Sequence, residues 1–243
     1  MINLLVKSRK PLGKKAYGSI PHLPGSRLGP GDSHIDPGQA IIATHKKRDR
    51  HDLIIVQEKL DGSNVAVAKI NGEIHALSRA GYLAVTSPFL QHHYFAVWVK
   101  ENESRFSNLL KENERICGEW LALAHGTRYN LTHEPFVPFD LITGIERVNY
   151  ETFEKRVSEY DFTIPHLLSI GDPLPIEGMM EKIETSGHGA LEAVEGAIWR
   201  IERRGKVDFL TKFVRHDKQD GKYFPEITGK EDVWNVDVRR WKG

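Results

Sequence analysis

The chain carries one cysteine, Cys117, in 243 residues, so no internal disulfide framework can staple the fold. A single thiol suits a reducing compartment, and the cytoplasm is the expected location. Cys117 stands in an apolar, strand-like run, which fits buried filler better than a nucleophile. Long hydrophobic runs are missing as well. None approaches the roughly 20 residues of a membrane span, and Met1-Ile2-Asn3-Leu4 opens no signal peptide. No membrane partner is expected. An excess of one charge is also absent: the formal net charge is +1, so bulk charge makes no case for nucleic acid. Internal repeats and a strand–helix–strand rhythm are lacking, which disfavours solenoids and parallel doubly wound sheets. No Gly-Lys-Ser/Thr follows the early glycines, so they do not form a P-loop.

The composition that remains is that of an ordinary globular protein, 40% hydrophobic and 28% charged, long enough to bury a sizeable core. Charge is unevenly spread. Four of the five residues from Lys46 to Arg50 are basic, and three of the five from Arg200 to Arg204 are arginine. Lys7, Arg9, Lys10, Lys14 and Lys15 cluster at the start; Arg239, Arg240 and Lys242 cluster at the end. Such groups suit a solvated face, and also a groove that tracks phosphates. Lys46, Lys47, Arg200 and Arg215 are the candidate nucleic-acid contacts.

Residues 11–40 are rich in proline and glycine, which excludes long regular elements and predicts an ordered loop on the main domain. Leu53-Ile54-Ile55-Val56 reads as a buried strand, and Val65–Ile70 as a second. A turn at Asn71-Gly72 leads into a third, which delivers Arg79 to its end, so 53–83 reads as a meander. Phe89, Leu90, Tyr94, Val97 and Trp98 recur at helical spacing and predict one or two helices over 88–111. The adjacent His92 and His93 cannot face one metal from a helix. Strand patterns return at 115–121, 136–142 and 165–170, with short helices at 151–160 and 176–185. A hairpin over 195–215 turns at Arg203–Lys206. Together these point to an α+β domain of antiparallel sheets flanked by helices.

Between the first two strands stands Gln57-Glu58-Lys59-Leu60-Asp61-Gly62-Ser63-Asn64. A lysine held at a strand tip beside a sharp turn has a fixed position, which suits a nucleophile. Further along come Arg79, Gly118-Glu119, Phe139-Asp140, Glu195-Gly196-Ala197-Ile198-Trp199-Arg200 and Thr211-Lys212-Phe213-Val214-Arg215. This order and spacing resembles the covalent nucleotidyltransferases, the superfamily of ATP-dependent ligases and capping enzymes. The details look most like the RNA ligases related to the phage T4 double-strand-repair type. Glu58-Lys59 followed by Gly62-Ser63-Asn64 is similar to that group's Glu-Lys-x-x-Gly-Thr-Asn.

The resemblance implies a nucleotidyltransferase (ATP-grasp-like ligase) core and a role for each residue. Lys59 would attack the α-phosphate of ATP and carry AMP, its amine kept uncharged by Lys212, Arg79 and a bound metal. Asp61 would position the lysine or a metal-bound water. Glu195, with Asp140 or Glu119, would hold Mg²⁺ or Mn²⁺, while Glu119 is also a candidate for the ribose. Phe139 would stack on adenine; Arg79 and Lys212 would clamp phosphate. Glu58 and Asn64 complete the expected nucleotide site. His75, His125 and His188 have no motif partner. The last motif of the superfamily has a second lysine that is missing from this chain, and Arg215 is the nearest substitute. The expected organisation is a loop-rich segment over 1–50, an adenylyltransferase domain over 51–216 and a polar extension over 217–243. No room is left for an OB-fold or a helical C-terminal domain. The implied activity is ATP-dependent joining of RNA 5′-phosphate and 3′-hydroxyl ends. Grip on RNA would come from the core, a partner protein or a second copy. A small DNA ligase and a catalytically silent nucleic-acid-binding module are the rival readings.

Overall fold

The computed structural model describes residues 10–241; Lys7, Arg9 and Lys242 of the basic clusters lie outside them. Two antiparallel sheets carry the fold. The first has the order β7-β1-β8-β9 and the second β3-β2-β4-β5-β6. The strands are β1 (Asp52–Lys59), β2 (Ser63–Ile70), β3 (Glu73–Ser78), β4 (Glu114–Trp120), β5 (Phe136–Thr143), β6 (Glu146–Arg147), β7 (Leu167–Gly171), β8 (Gly196–Arg203) and β9 (Lys206–Val214). The longer helices are α1 (Pro37–Thr44), α2 (Leu90–Glu101), α3 (Glu103–Leu109), α4 (Tyr150–Ser158) and α5 (Ile176–Lys182). None of the helices described is long and apolar enough to cross a membrane.

Ile54, Ile55 and Val56 of β1 are buried, on both faces of the strand, whereas Leu53 at the start of the same apolar run is exposed. Ile54 and Val56 pack with Trp199, Ile201 and Phe213, while Ile55 joins Val65, Trp98, Trp120 and Phe136 in the larger core. Burying each such side chain contributes roughly 1.5–3 kcal/mol. The structure corrects the expected meander. β1 pairs with β7 and β8, and β2 with β3 and β4, so Lys59–Gly62 is a crossing between sheets. Gly62 makes the crossing possible, since a Cβ there would lie 2.6 Å from the Trp120 carbonyl oxygen. The β2–β3 hairpin does form. Asn71 and Gly72 both take positive φ, 54° and 76°, as a tight primed turn requires.

Two further departures matter. A helix opens at Pro37 inside the stretch read as loop: Asp36 Oδ1 accepts from the Gly38 N–H at 2.8 Å, an N-cap followed by proline at the first helical position. In α2 the buried stripe is Tyr94, Phe95, Trp98 and Val99, whereas Phe89, Leu90 and Val97 are exposed. Phe89 and Leu90 instead line the cleft between the sheets.

Candidate active site

That cleft has a volume of about 770 Å³, within the ordinary range for a small-molecule site. Lys59, at the end of β1, lies opposite Gly196 in β8, which brings in the preceding residue, Glu195. The Lys59 Nζ donates to Glu195 Oε2 at 2.6 Å. Gly196 has φ 155°, and a Cβ there would sit 1.9 Å from the Phe213 carbonyl oxygen. Only glycine lets β9 come this close. β9 then presents Lys212, paired with Ile198, to the same cleft.

The expected charge balance is reversed at Lys59. Burial pushes the Lys59 amine down, but Glu195, Glu119 and Asp61 outweigh burial and hold its pKa above the ordinary lysine value. Cations do not dominate its surroundings. Lys212 is the amine driven below its ordinary value, by burial and then by the charge of Lys59.

Across β2 and β4, Asn64 lies opposite Glu119. Glu119 Oε1 accepts from the Gly62 N–H at 3.1 Å. Burial, together with the charges of Glu195 and Asp61 and against that of Lys59, pushes its carboxyl up to about 8. The folded state therefore binds this proton more tightly than the unfolded chain, and the associated stability is lost as pH rises from the ordinary value of 4.5 through 8. Glu119→Gln, which cannot ionise, is expected to gain stability relative to the parent between pH 5 and 9, as read by denaturant unfolding. A constant difference over that range would contradict the burial of this charge. Phe139 faces the cleft because of a register shift between Cys117 and Gly118, a bulge that re-aims the side chain. Its ring meets Tyr17 edge-on at 5.1 Å. Arg79 Nη2 donates to the Gly18 carbonyl at 3.3 Å and to Ser19 Oγ at 3.2 Å.

Asp61 lies buried beneath the crossing. Its Oδ2 accepts from the Gly126 N–H at 2.8 Å and from Lys218 Nζ at 2.5 Å. Burial raises this carboxyl and the Lys218 charge lowers it, and the net direction is down. Lys218, missed in the sequence, is the cation at this end of the chain that reaches a motif residue. It sits in a run, His216–Asp220, that reads as solvated surface. Arg215 pairs with Asp217 and does not line the cleft. His125 was also missed: it lines the cleft, with Nε2 3.3 Å from Ser63 Oγ.

Several expected site residues are committed to partners of their own or lie away from the cleft. Asp140 is fully buried and its oxygens are committed. Oδ1 pairs with Arg200 at 3.2 Å, and Oδ2 accepts from Arg147 at 2.6 Å and Tyr17 at 3.1 Å. It locks β5 to β8 and is not free for a metal. Arg200 also lines the cleft, but its guanidinium is engaged in the same buried network, with Glu202 at 2.9 Å. Lys46 and Lys47 lie away from the cleft lining, and Lys47 pairs with Asp172 at 2.8 Å. Glu58 lines the cleft while its carboxylate is held by the loop after α5, where it accepts from Ser186 Oγ at 2.7 Å and the Gly187 N–H at 2.8 Å.

The cleft suits a nucleotide in its donor set. Lys59, Lys212 and Arg79 offer cations, Phe139 an aromatic face, and Asn64 Oδ1 is buried without a partner. Among the described residues, no group of three or more His, Cys, Asp or Glu side chains is gathered to hold a metal. A hard cation in this cleft would take most of its oxygen ligands from phosphate and water; Glu119 is a carboxylate of the lining, and Glu195 stands behind Lys59.

The sequence profile of the RNA ligase family matches residues 52–214, more than half of the chain. Lys59, Asp61, Arg79, Glu119, Phe139, Glu195 and Lys212 all fall inside the match. Among solved structures, an apo aspartate-to-alanine mutant of the Naegleria gruberi RNA ligase shares the fold with TM-score 0.51 and 13% identity, over 69% of this chain and 50% of that one. An archaeal ATP-dependent RNA ligase gives 0.48 and 21%, over 67% and 42%. A Methanocaldococcus jannaschii protein, described as uncharacterized, is 23% identical over 114 residues, 47% of this chain and 25% of that protein. The chain thus spans a quarter to a half of the length of these relatives.

Proposed function

This chain belongs to the RNA ligase family, and on that footing we propose that it is an ATP-dependent RNA ligase working through a covalent lysyl-AMP at Lys59. The observation that carries the reading is the half-buried amine of Lys59, fixed 2.6 Å from Glu195 in a cleft it shares with Lys212 and Arg79. In the first step the Lys59 Nζ attacks the α-phosphorus of ATP. An N–P bond forms, the bond to the bridging oxygen breaks, and pyrophosphate leaves with that electron pair. Nζ must first give up a proton, and Glu195 Oε2 is within reach to accept it. Any displacement of Glu195 from Lys59 removes the first of the charges that hold the amine protonated. Lys212 and Arg79 are suited to the departing phosphates, and Phe139 to the adenine face. A divalent cation arriving with the nucleotide, Mg²⁺ or Mn²⁺, would neutralise phosphate charge, with Glu195 as its carboxylate on this chain.

In the later steps AMP passes to an RNA 5′-phosphate, and a 3′-hydroxyl attacks that activated end and releases AMP. The strand would approach over the exposed side chains of Phe89 and Leu90. Further hold on it would come from the core, a partner protein or a second copy. The test uses 5′-phosphorylated nicks in RNA and DNA duplexes with ATP and Mg²⁺. Sealing of the RNA nick is expected; sealing of the DNA nick alone would overturn the choice of substrate.

A further inference from the structure

The family match begins at residue 52, yet the cleft does not. Tyr17, Gly18 and Ile20 line it from the N-terminal segment. The same segment runs along the edge of β9. The Lys212 N–H donates to the Pro21 carbonyl at 3.0 Å, and the Leu23 N–H donates to the Lys212 carbonyl at 2.8 Å. The Val214 N–H donates to Ser26 Oγ at 2.9 Å. Both outward-facing backbone groups of Lys212 are thus held by residues outside the family match.

A second layer acts on the Lys212 side chain. His22 is 1% exposed. Its backbone is pinned through the Ser33 carbonyl and the Ile35 N–H, at 2.8 Å each. Its Nδ1 lies 2.7 Å from Ser26 Oγ and its Nε2 lies 3.0 Å from Asp32 Oδ2. The Gly29 N–H donates to Asp32 Oδ2 at 3.0 Å, and Asp32 Oδ1 lies 3.7 Å from Lys212 Nζ. The Gly29 N–H thus fixes the Asp32 carboxylate, and the buried His22 ring packs against it, its Nε2 close to Oδ2 but without an aligned hydrogen bond. This carboxylate faces the ammonium of Lys212, a residue of the cleft lining.

We propose that His22 and Asp32 form a positioning dyad for Lys212, so that the N-terminal segment is a working part of the active site. The dyad's catalytic consequence rests on the ligase reading above; its charge coupling to Lys212 does not. Burial and the nearby charge of Lys212 push the His22 imidazole down, so at neutral pH the ring is neutral and supports Asp32 without adding a competing cation. Asp32 fixes the direction of a flexible four-carbon side chain before phosphate arrives, which saves the entropy of ordering it later. Phosphate oxygen then takes over from Asp32 as the partner of Nζ.

Two measurements on the full chain test the dyad. The first is acetylation of amines across pH, read at the Lys212 peptide by mass spectrometry. Asp32 raises the Lys212 pKa, so Asp32→Asn should increase Lys212 acetylation at neutral pH several-fold, while Asp32→Glu should stay closer to the parent. An unchanged Lys212 profile in Asp32→Asn would overturn the coupling. The second is the rate of lysine adenylylation. Asp32→Asn should lower kcat about tenfold with the ATP KM moving less than about twofold, and in a Lys212→Ala background the same change should cost almost nothing. A tenfold loss repeated in that background would mean Asp32 acts elsewhere, and no loss in either would end its positioning role. A parent protein that takes no label from ATP would refute the ligase reading while leaving the acetylation result to decide the dyad.

Discussion

Lys59→Ala is expected to take up no label from α-labelled ATP, a loss on the order of 10³-fold or more, because no other side chain supplies the attacking electron pair. The variant also leaves Glu195 buried without its closest partner, and an unpaired buried charge can itself destabilise. Lys59→Arg separates the two effects. It keeps the positive charge opposite Glu195, but a guanidinium stays protonated and is no nucleophile. It should remain folded, by circular dichroism and thermal melt, and be equally unlabelled. Substantial label on Lys59→Arg would mean that another residue carries the nucleotide.

The second large effect is one of stability. Asp140→Ala is expected to cost about 3–5 kcal/mol, because it leaves Arg147 and Arg200 facing each other with no carboxylate between them. For a chain of this length that is a fall in Tm of very roughly 10 °C. The thermal melt of purified protein reads it directly. Asp140→Asn should lie in between, since an amide can still accept one of the hydrogen bonds but carries no charge. If Asp140→Ala melts within about 2 °C of the parent, the residue is no keystone and its assignment as a metal ligand reopens.

Much of this molecule was legible in its residues, and the reasons differ from place to place. The strand run was readable because Ile54, Ile55 and Val56 are buried on both faces, which leaves a continuous apolar stretch. Lys59, Glu119, Glu195 and Lys212 were readable as a set by the motif order they resemble, and the structure gathers them around one cleft. Asp140 was misread for a specific reason. Phe139 and Asp140 are neighbours in sequence and both reach Tyr17, but the ring lines the cleft while the carboxylate is fully buried between Arg147 and Arg200. No local pattern marks Arg200, sixty residues on, as a partner of Asp140.

What was hidden depends on pairings between distant segments. His22 and Asp32 sit among glycines and prolines and gain meaning only when that loop is laid along β9. Lys218 lies six positions past Lys212 among ordinary polar residues, and only the return of the chain beneath Asp61 gives it a partner. The sign of the field at Lys59 was hidden for a related reason. Three carboxylates from three separate elements converge on it, and their combined charge cannot be summed until their positions are known.

The most direct test is peptide mapping of the parent protein by mass spectrometry after incubation with ATP and Mg²⁺. One adenylyl group adds about 329 Da to the peptide it occupies, and the expected carrier is the peptide containing Lys59, with the addition reversed by excess pyrophosphate. An unshifted Lys59 peptide, or the same addition on a different lysine, would contradict the role of that amine as the nucleotide carrier.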